Sequence, residues 1–84
     1  MIKTKYFVVR QYQRSVKEEL LLATAAKLPR INNKVLVVVS RKLVRKYCPR
    51  IKLELFIVVD CNVLITCFFG HFQEYLNRKK NWNI

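Results

Sequence analysis

A run of positive side chains between Arg41 and Lys52 is the feature of this sequence best suited to ligand binding. Lysine and arginine neutralise phosphate groups and release the counterions around a nucleic acid, which gives affinity without reading the bases. At helical spacing four of these cations lie at i, i+1, i+4 and i+5, on one stripe. The residues predicted to bind nucleic acid here are Arg41, Lys42, Arg45, Lys46, Tyr47, Arg50 and Lys52.

Two aromatic residues lie beside the basic clusters. Tyr47 follows the stripe, and Trp82 follows Lys79 and Lys80, which form a second predicted binding cluster. Either ring could stack on an exposed base. Ordinary packing in the core is the competing interpretation for both rings.

The overall charge indicates the kind of partner. The 84 residues contain 17 Lys and Arg against 5 Asp and Glu, for a net charge of +12 and a pI near 10.1. Such an excess favours a polyanion, either nucleic acid or an anionic membrane surface, although a solvated basic surface is also compatible with it. With 52% hydrophobic residues and one glycine, residues 1–84 are expected to fold as one small domain.

Asp60 is the single candidate for a catalytic or metal-binding carboxylate. It ends an apolar stretch, and ligands of parallel α/β sheets bind beyond the carboxyl ends of strands. A metal-dependent nuclease needs several converging acids, and the remaining acids are Glu18, Glu19, Glu54 and Glu74. Asp60 could equally accept amide protons at the start of a helix. The sequence therefore leaves open whether the chain is an enzyme, and a binding function is favoured.

Three cysteines give little support for metal chemistry. Cys48, Cys61 and Cys67 are an odd number, which is typical of a reducing, intracellular compartment, cytoplasmic or organellar. Cys67 and His71 have helical i, i+4 spacing and could form half of a zinc site, but no CxxC motif is present. No cofactor is therefore expected from these residues.

Hydrophobic periodicity predicts the elements that position these residues. Strands are expected at residues 2–10, 34–40 and 51–59. Helices are expected at residues 16–28, where Ser15 and Glu18 form a capping box, along the basic stripe, and after Asn62 as N-cap. Residues 57–71 thus read as a strand that turns into an amphipathic helix at Asp60.

The resulting order β-α-β-α-β-α predicts an α/β fold with a small three-stranded parallel sheet covered by helices. The middle helix is short for a parallel crossover. The alternative pairs the strands at 35–40 and 51–59 antiparallel, which would give an α+β sandwich instead. A third possibility is a single-pass membrane protein with residues 53–72 inserted, although Asp60 and Asn62 would then lie near the bilayer centre.

The segment IVVDCNVLITCFFG, residues 57–70, resembles the opening strand and helix of PIN-domain ribonucleases. It covers about a sixth of the chain. The resemblance implies that Asp60 is the first of several acids that hold Mg²⁺ or Mn²⁺ for RNA hydrolysis, with Asn62 as the neighbouring motif residue. A PIN domain usually begins with this strand, whereas 56 residues precede it here and 24 follow Asp60, so the resemblance implies a truncated or rearranged member of that family.

The sequence therefore predicts a small basic protein that binds nucleic acid through phosphate contacts, and RNA is favoured over DNA. A ribonucleoprotein component would have this character. The alternatives are the truncated PIN-like ribonuclease, which alone would require Mg²⁺ or Mn²⁺, and the membrane protein. The oligomeric state does not follow from the sequence.

Overall fold

The computed structural model describes residues 2–71 and the backbone of residues 81–83. Within them the strands are β1 (Ile2–Lys3), β2 (Lys34–Val39), β3 (Glu54–Asp60), β4 (Val63–Gly70) and β5 (Asn81–Asn83). The helices are α1 (Lys5–Gln13), α2 (Glu18–Ala25) and α3 (Arg41–Tyr47).

The strands form one mixed sheet in the order β1-β4-β3-β2-β5. Neighbours β2 and β3, and β3 and β4, are antiparallel, whereas β1 pairs parallel with β4 and β5 pairs parallel with β2. The α/β class is confirmed, but the three-stranded parallel sheet is wrong, and the antiparallel alternative for β2 and β3 is correct. The seven residues of α3 span about 10 Å. The helix cannot retrace the roughly 20 Å of β2, as a parallel crossover requires.

The first predicted strand is wrong, because most of residues 2–10 form helix α1. Thr4 is the N-cap, and its Oγ1 accepts a 3.0 Å hydrogen bond from the backbone N–H of Phe7. Phe7 is fully buried, whereas Tyr6, Val8 and Val9 are about half exposed. The local β propensity of this apolar run is therefore overridden by a cap and by the burial of one aromatic ring.

The second helix is confirmed, but it is shorter than predicted and lacks the capping box. Ser15 has a φ of 53°, in the left-handed region, and Lys17 is the N-cap without a side-chain hydrogen bond. Glu18 instead binds Lys3 and Gln11. The helix ends at Ala25, four residues before Pro29.

The predicted helix after Asp60 is also wrong, because β3 and β4 form a β-hairpin. Cys61 and Asn62 make its two-residue loop, with φ values of 49° and 63°. Two consecutive positive φ values are the geometry of a type I′ turn, whose usual sequence is Asn-Gly. A Cys-Asn loop lacks that signal. The part of the predicted helix at residues 72–80 lies outside the described residues.

The core lies between the sheet and the three helices. Alternate residues of β2 and β3 point into it, together with buried side chains from every helix: Phe7, Leu20, Leu21, Val35, Val37, Val39, Val44, Leu55, Ile57 and Val59. The opposite face of the sheet buries Leu36, Val38 and Phe56. Both faces of β2 are therefore buried after its first residue. No helix in the described part of the chain is long and apolar enough to cross a membrane.

Candidate nucleic-acid interface

Helix α3 positions the basic stripe, as predicted. It begins directly after β2, where Oγ of Ser40 accepts a 3.3 Å hydrogen bond from the backbone N–H of Leu43. Val44 is fully buried and anchors the helix to the core. The four cations predicted for the stripe are all exposed: Arg41, Lys42, Arg45 and Lys46. Arg45 and Lys46 lie in the last turn, where positive charge is favourable to the helix dipole.

Three of the predicted cations surround one small cavity. Arg41 and Arg45, one turn apart on α3, and Lys52, from the loop before β3, line a space of about 190 Å³. All three side chains are exposed to solvent. Lys52 lies in the short loop that connects α3 to β3, five residues after the end of the helix.

Glu54 completes this cluster. Its Oε1 lies 3.2 Å from Nε of Arg41, and the two side chains are 11% and 57% exposed. From the sequence, Glu54 is only one of the remaining acids that a metal site could use. Its position could have been found from the antiparallel alternative, because β3 then begins beside the end of β2, where α3 starts.

Lys46 and Tyr47 have other surroundings. The ammonium of Lys46 lies 5.9 Å from the centroid of the Tyr47 ring. Tyr47 is half-buried and packs against the core. This contact favours packing for Tyr47, and stacking on a base stays a prediction.

Arg50 is separated from the cavity beside α3. It lines a different and largely apolar space of about 330 Å³, together with Lys17, Cys48, Pro49 and Ile51. The structure therefore brings together Arg41, Arg45 and Lys52, and it places Arg50 next to the start of α2.

Asp60 lies far from the basic cluster. Glu54 and Asp60 are the two ends of β3, and six steps of about 3.3 Å separate them by about 20 Å. Asp60 adjoins the hairpin turn, and its interaction with the exposed Cys61 thiol is the main cause of the raised pKa of that thiol. The Sγ atom of Cys61 donates a 3.4 Å hydrogen bond to the backbone carbonyl oxygen of Asn32. The helix that the PIN resemblance implies after this acid is replaced by β4. The catalytic and metal-binding roles of Asp60 stay predictions.

The predicted half zinc site has no helical geometry, because Cys67 lies in a strand. Burial raises the pKa of the Cys67 thiol to about 11, which opposes the thiolate form that binds zinc. Across residues 2–71 and 81–83, no three His, Cys, Asp or Glu side chains come together as a metal site. Lys79 and Lys80, the second predicted basic cluster, lie outside the described residues, and the side chain of Trp82 is not described.

Comparisons with protein-family models, with curated proteins and with solved structures give no match to this chain.

Proposed function

We propose that this protein binds nucleic acid, with RNA favoured over DNA, through phosphate contacts made by the exposed cations of α3 and by Lys52. The observation that carries the proposal is the cavity that Arg41, Arg45 and Lys52 share, with Lys42 and Lys46 exposed on the same helix. Five cations gathered on two turns of helix and one loop repel one another, and a polyanion relieves that repulsion while it releases counterions.

Contact with the phosphate backbone of RNA is the mode of binding that α3 supports best. The helix has seven residues and is about 10 Å long, so it presents few side chains to a groove. The deep, narrow major groove of A-form RNA is also closed to side-chain reading. Exposed cations can bind phosphates without entering a deep groove and without a defined base sequence.

Fluorescence anisotropy with labelled single-stranded RNA over a salt series tests the proposal. A variant with Arg41, Lys42, Arg45 and Lys46 all replaced by Gln lowers the net charge from +12 to +8 (12 − 4). If each cation neutralises one phosphate, the slope of log K against log salt becomes shallower by about 2.8, or about 0.7 per contact.

The matched control removes four exposed cations elsewhere, at Lys5, Lys27, Arg30 and Lys34, with the same change in net charge. The proposal predicts that the α3 variant loses much more affinity than this control. Equal losses would show that net charge alone, and not α3, attracts RNA. Unchanged binding in the α3 variant would remove the basis of the proposal. Parallel titrations with single-stranded DNA and duplexes test the preference for RNA, and incubation with Mn²⁺ detects any cleavage.

A further inference from the structure

The cavity beside α3 differs from a general basic surface because three cations converge on one space. Among the described residues, Arg41, Arg45 and Lys52 line its volume of about 190 Å³. Like charges at close range repel, and an anionic group that lies among all three cations relieves that repulsion. Convergence on one small space is the arrangement that suits a compact anion.

Glu54 gives one of these cations a defined orientation. Its carboxylate, which is 11% exposed, contacts Nε of Arg41 at 3.2 Å. The four N–H donors on the two terminal nitrogens of the guanidinium lie outside that contact, and planar guanidinium groups suit the paired oxygens of a phosphate. Glu54 is thus a positioning residue for Arg41.

The local charge distinguishes between two kinds of phosphate. Three cations line the space, and one carboxylate, that of Glu54, contacts one of them, so positive charge is in excess among these four residues. A phosphodiester within a nucleic-acid strand carries one negative charge, whereas a phosphate monoester carries close to two at neutral pH, with a second pKa near about 6. The monoester therefore matches the cluster more closely.

We propose that the cavity lined by Arg41, Arg45 and Lys52 binds the terminal phosphate monoester of a nucleic-acid strand. This inference rests on the proposed function, and it adds that the protein recognises strand ends. The other cations of α3, Lys42 and Lys46, contact the phosphodiesters of the same strand.

The test compares RNA oligonucleotides of one sequence that carry a 5′-phosphate, a 3′-phosphate or hydroxyls at both ends. The wild-type protein binds one phosphorylated form about tenfold more tightly than the hydroxyl form, as expected for one further charge-assisted hydrogen bond. With Lys52→Gln or Arg45→Gln, the phosphorylated and the hydroxyl oligonucleotides bind equally tightly. Lys46→Gln removes the same charge from the same helix but not from the cavity, so it weakens binding of all three oligonucleotides and keeps the ratio.

The pH dependence gives a second readout. Below pH about 6 the monoester takes up a proton and becomes a monoanion, so the tenfold ratio falls towards one between pH 7 and pH 5. Equal binding of all three oligonucleotides by the wild type would overturn the strand-end inference and leave the proposed function intact. A ratio that survives in Lys52→Gln would also overturn it. If none of the three oligonucleotides bound, the proposed function itself would instead be overturned.

Discussion

The Oδ1 atom of Asn62, in the turn between β3 and β4, accepts a 2.8 Å hydrogen bond from the backbone N–H of Ile31. The two residues are 31 positions apart, and the bond fastens the hairpin to the loop that precedes β2. The backbone N–H of Cys61 reinforces it by donating to the carbonyl oxygen of Asn33 at 3.4 Å. Asn62 thus has two roles, since it also takes a φ of 63°.

Substitution of Asn62 separates these roles. Asn62→Gly keeps the positive φ at little cost and loses the side-chain acceptor, so we expect it to lower the free energy of unfolding by about 1 kcal/mol. Asn62→Ala loses the acceptor and also forces alanine into the left-handed region, which adds about 1 kcal/mol. Urea denaturation measures both values. Equal stability of the two variants would show that the backbone conformation at this position carries no strain.

Asn62 also explains why the sequence predicts a helix after Asp60, where the structure has a hairpin. Asn is preferred both as a helix N-cap and in tight turns, because its short side chain bonds to nearby backbone and it tolerates positive φ. The apolar residues of β4 fit either a helical face or a strand. Only the pairing of β4 with β3 decides between them, and the long-range contact to Ile31 is invisible in local sequence.

The basic site was predictable to the extent that its residues share one local element. The spacing of the cations between Arg41 and Lys46 defined the stripe, and Ser40 and Val44 fix the helix that carries it. Lys52 is predicted from its place in the same basic run, whereas Glu54 joins the site through the antiparallel pairing of β3 with β2, so no periodicity could identify it. In the same way, Glu18 fits a capping box in sequence but binds Lys3, which is brought to it by the pairing of β1 with β4.

Helix α1, where the sequence predicts a strand, can be tested directly by mutation. Phe7 is fully buried, whereas Tyr12, on the same helix, is 87% exposed. We expect Phe7→Ala to lower the free energy of unfolding by about 3 to 5 kcal/mol, because it removes a buried aromatic ring and leaves a cavity. Tyr12→Ala should change it by no more than about 0.5 kcal/mol. Thermal and urea denaturation of both variants check this, and a small effect of Phe7→Ala would contradict the helical packing.

The three cysteines should differ in reactivity. Cys61 is exposed, and its interaction with the Asp60 side chain raises the pKa of the thiol, while burial raises the pKa of the Cys67 thiol to about 11. Because the thiolate is the reactive form, raised pKa values slow alkylation at neutral pH. We expect iodoacetamide to modify Cys61 well before Cys67. Asp60→Asn should accelerate modification of Cys61 by removing the negative charge, and peptide mass spectrometry measures these rates. A slower reaction in Asp60→Asn would contradict the assigned cause.

Glu18 should make stability depend on pH in the acid range. Lys3 Nζ and Gln11 Nε2 donate hydrogen bonds to its carboxylate, and these bonds lower the pKa of Glu18 below 4.5. A lowered pKa in the folded state means that the stabilisation is present above pH 4.5 and is lost as the pH falls through the folded-state pKa. The site is exposed, so Glu18→Gln should cost less than about 1 kcal/mol at pH 7. Denaturation at pH 7 and at pH 3 should show this difference shrinking. A difference that grew in acid would contradict the assignment.

The contact between Glu54 and Arg41 makes opposite predictions for the two modes of RNA binding. Glu54→Gln raises the net charge by one and removes a carboxylate beside the basic cluster, so we expect tighter binding of an RNA with hydroxyl ends, about twofold to tenfold at low salt. The same change releases Arg41 from its fixed orientation, so the preference for a terminal phosphate should fall. Glu19→Gln makes the same charge change on an exposed residue of α2 and serves as the control. If Glu54→Gln strengthened binding of both oligonucleotides in proportion, Glu54 would act through its charge alone, and no orientation of Arg41 would be needed.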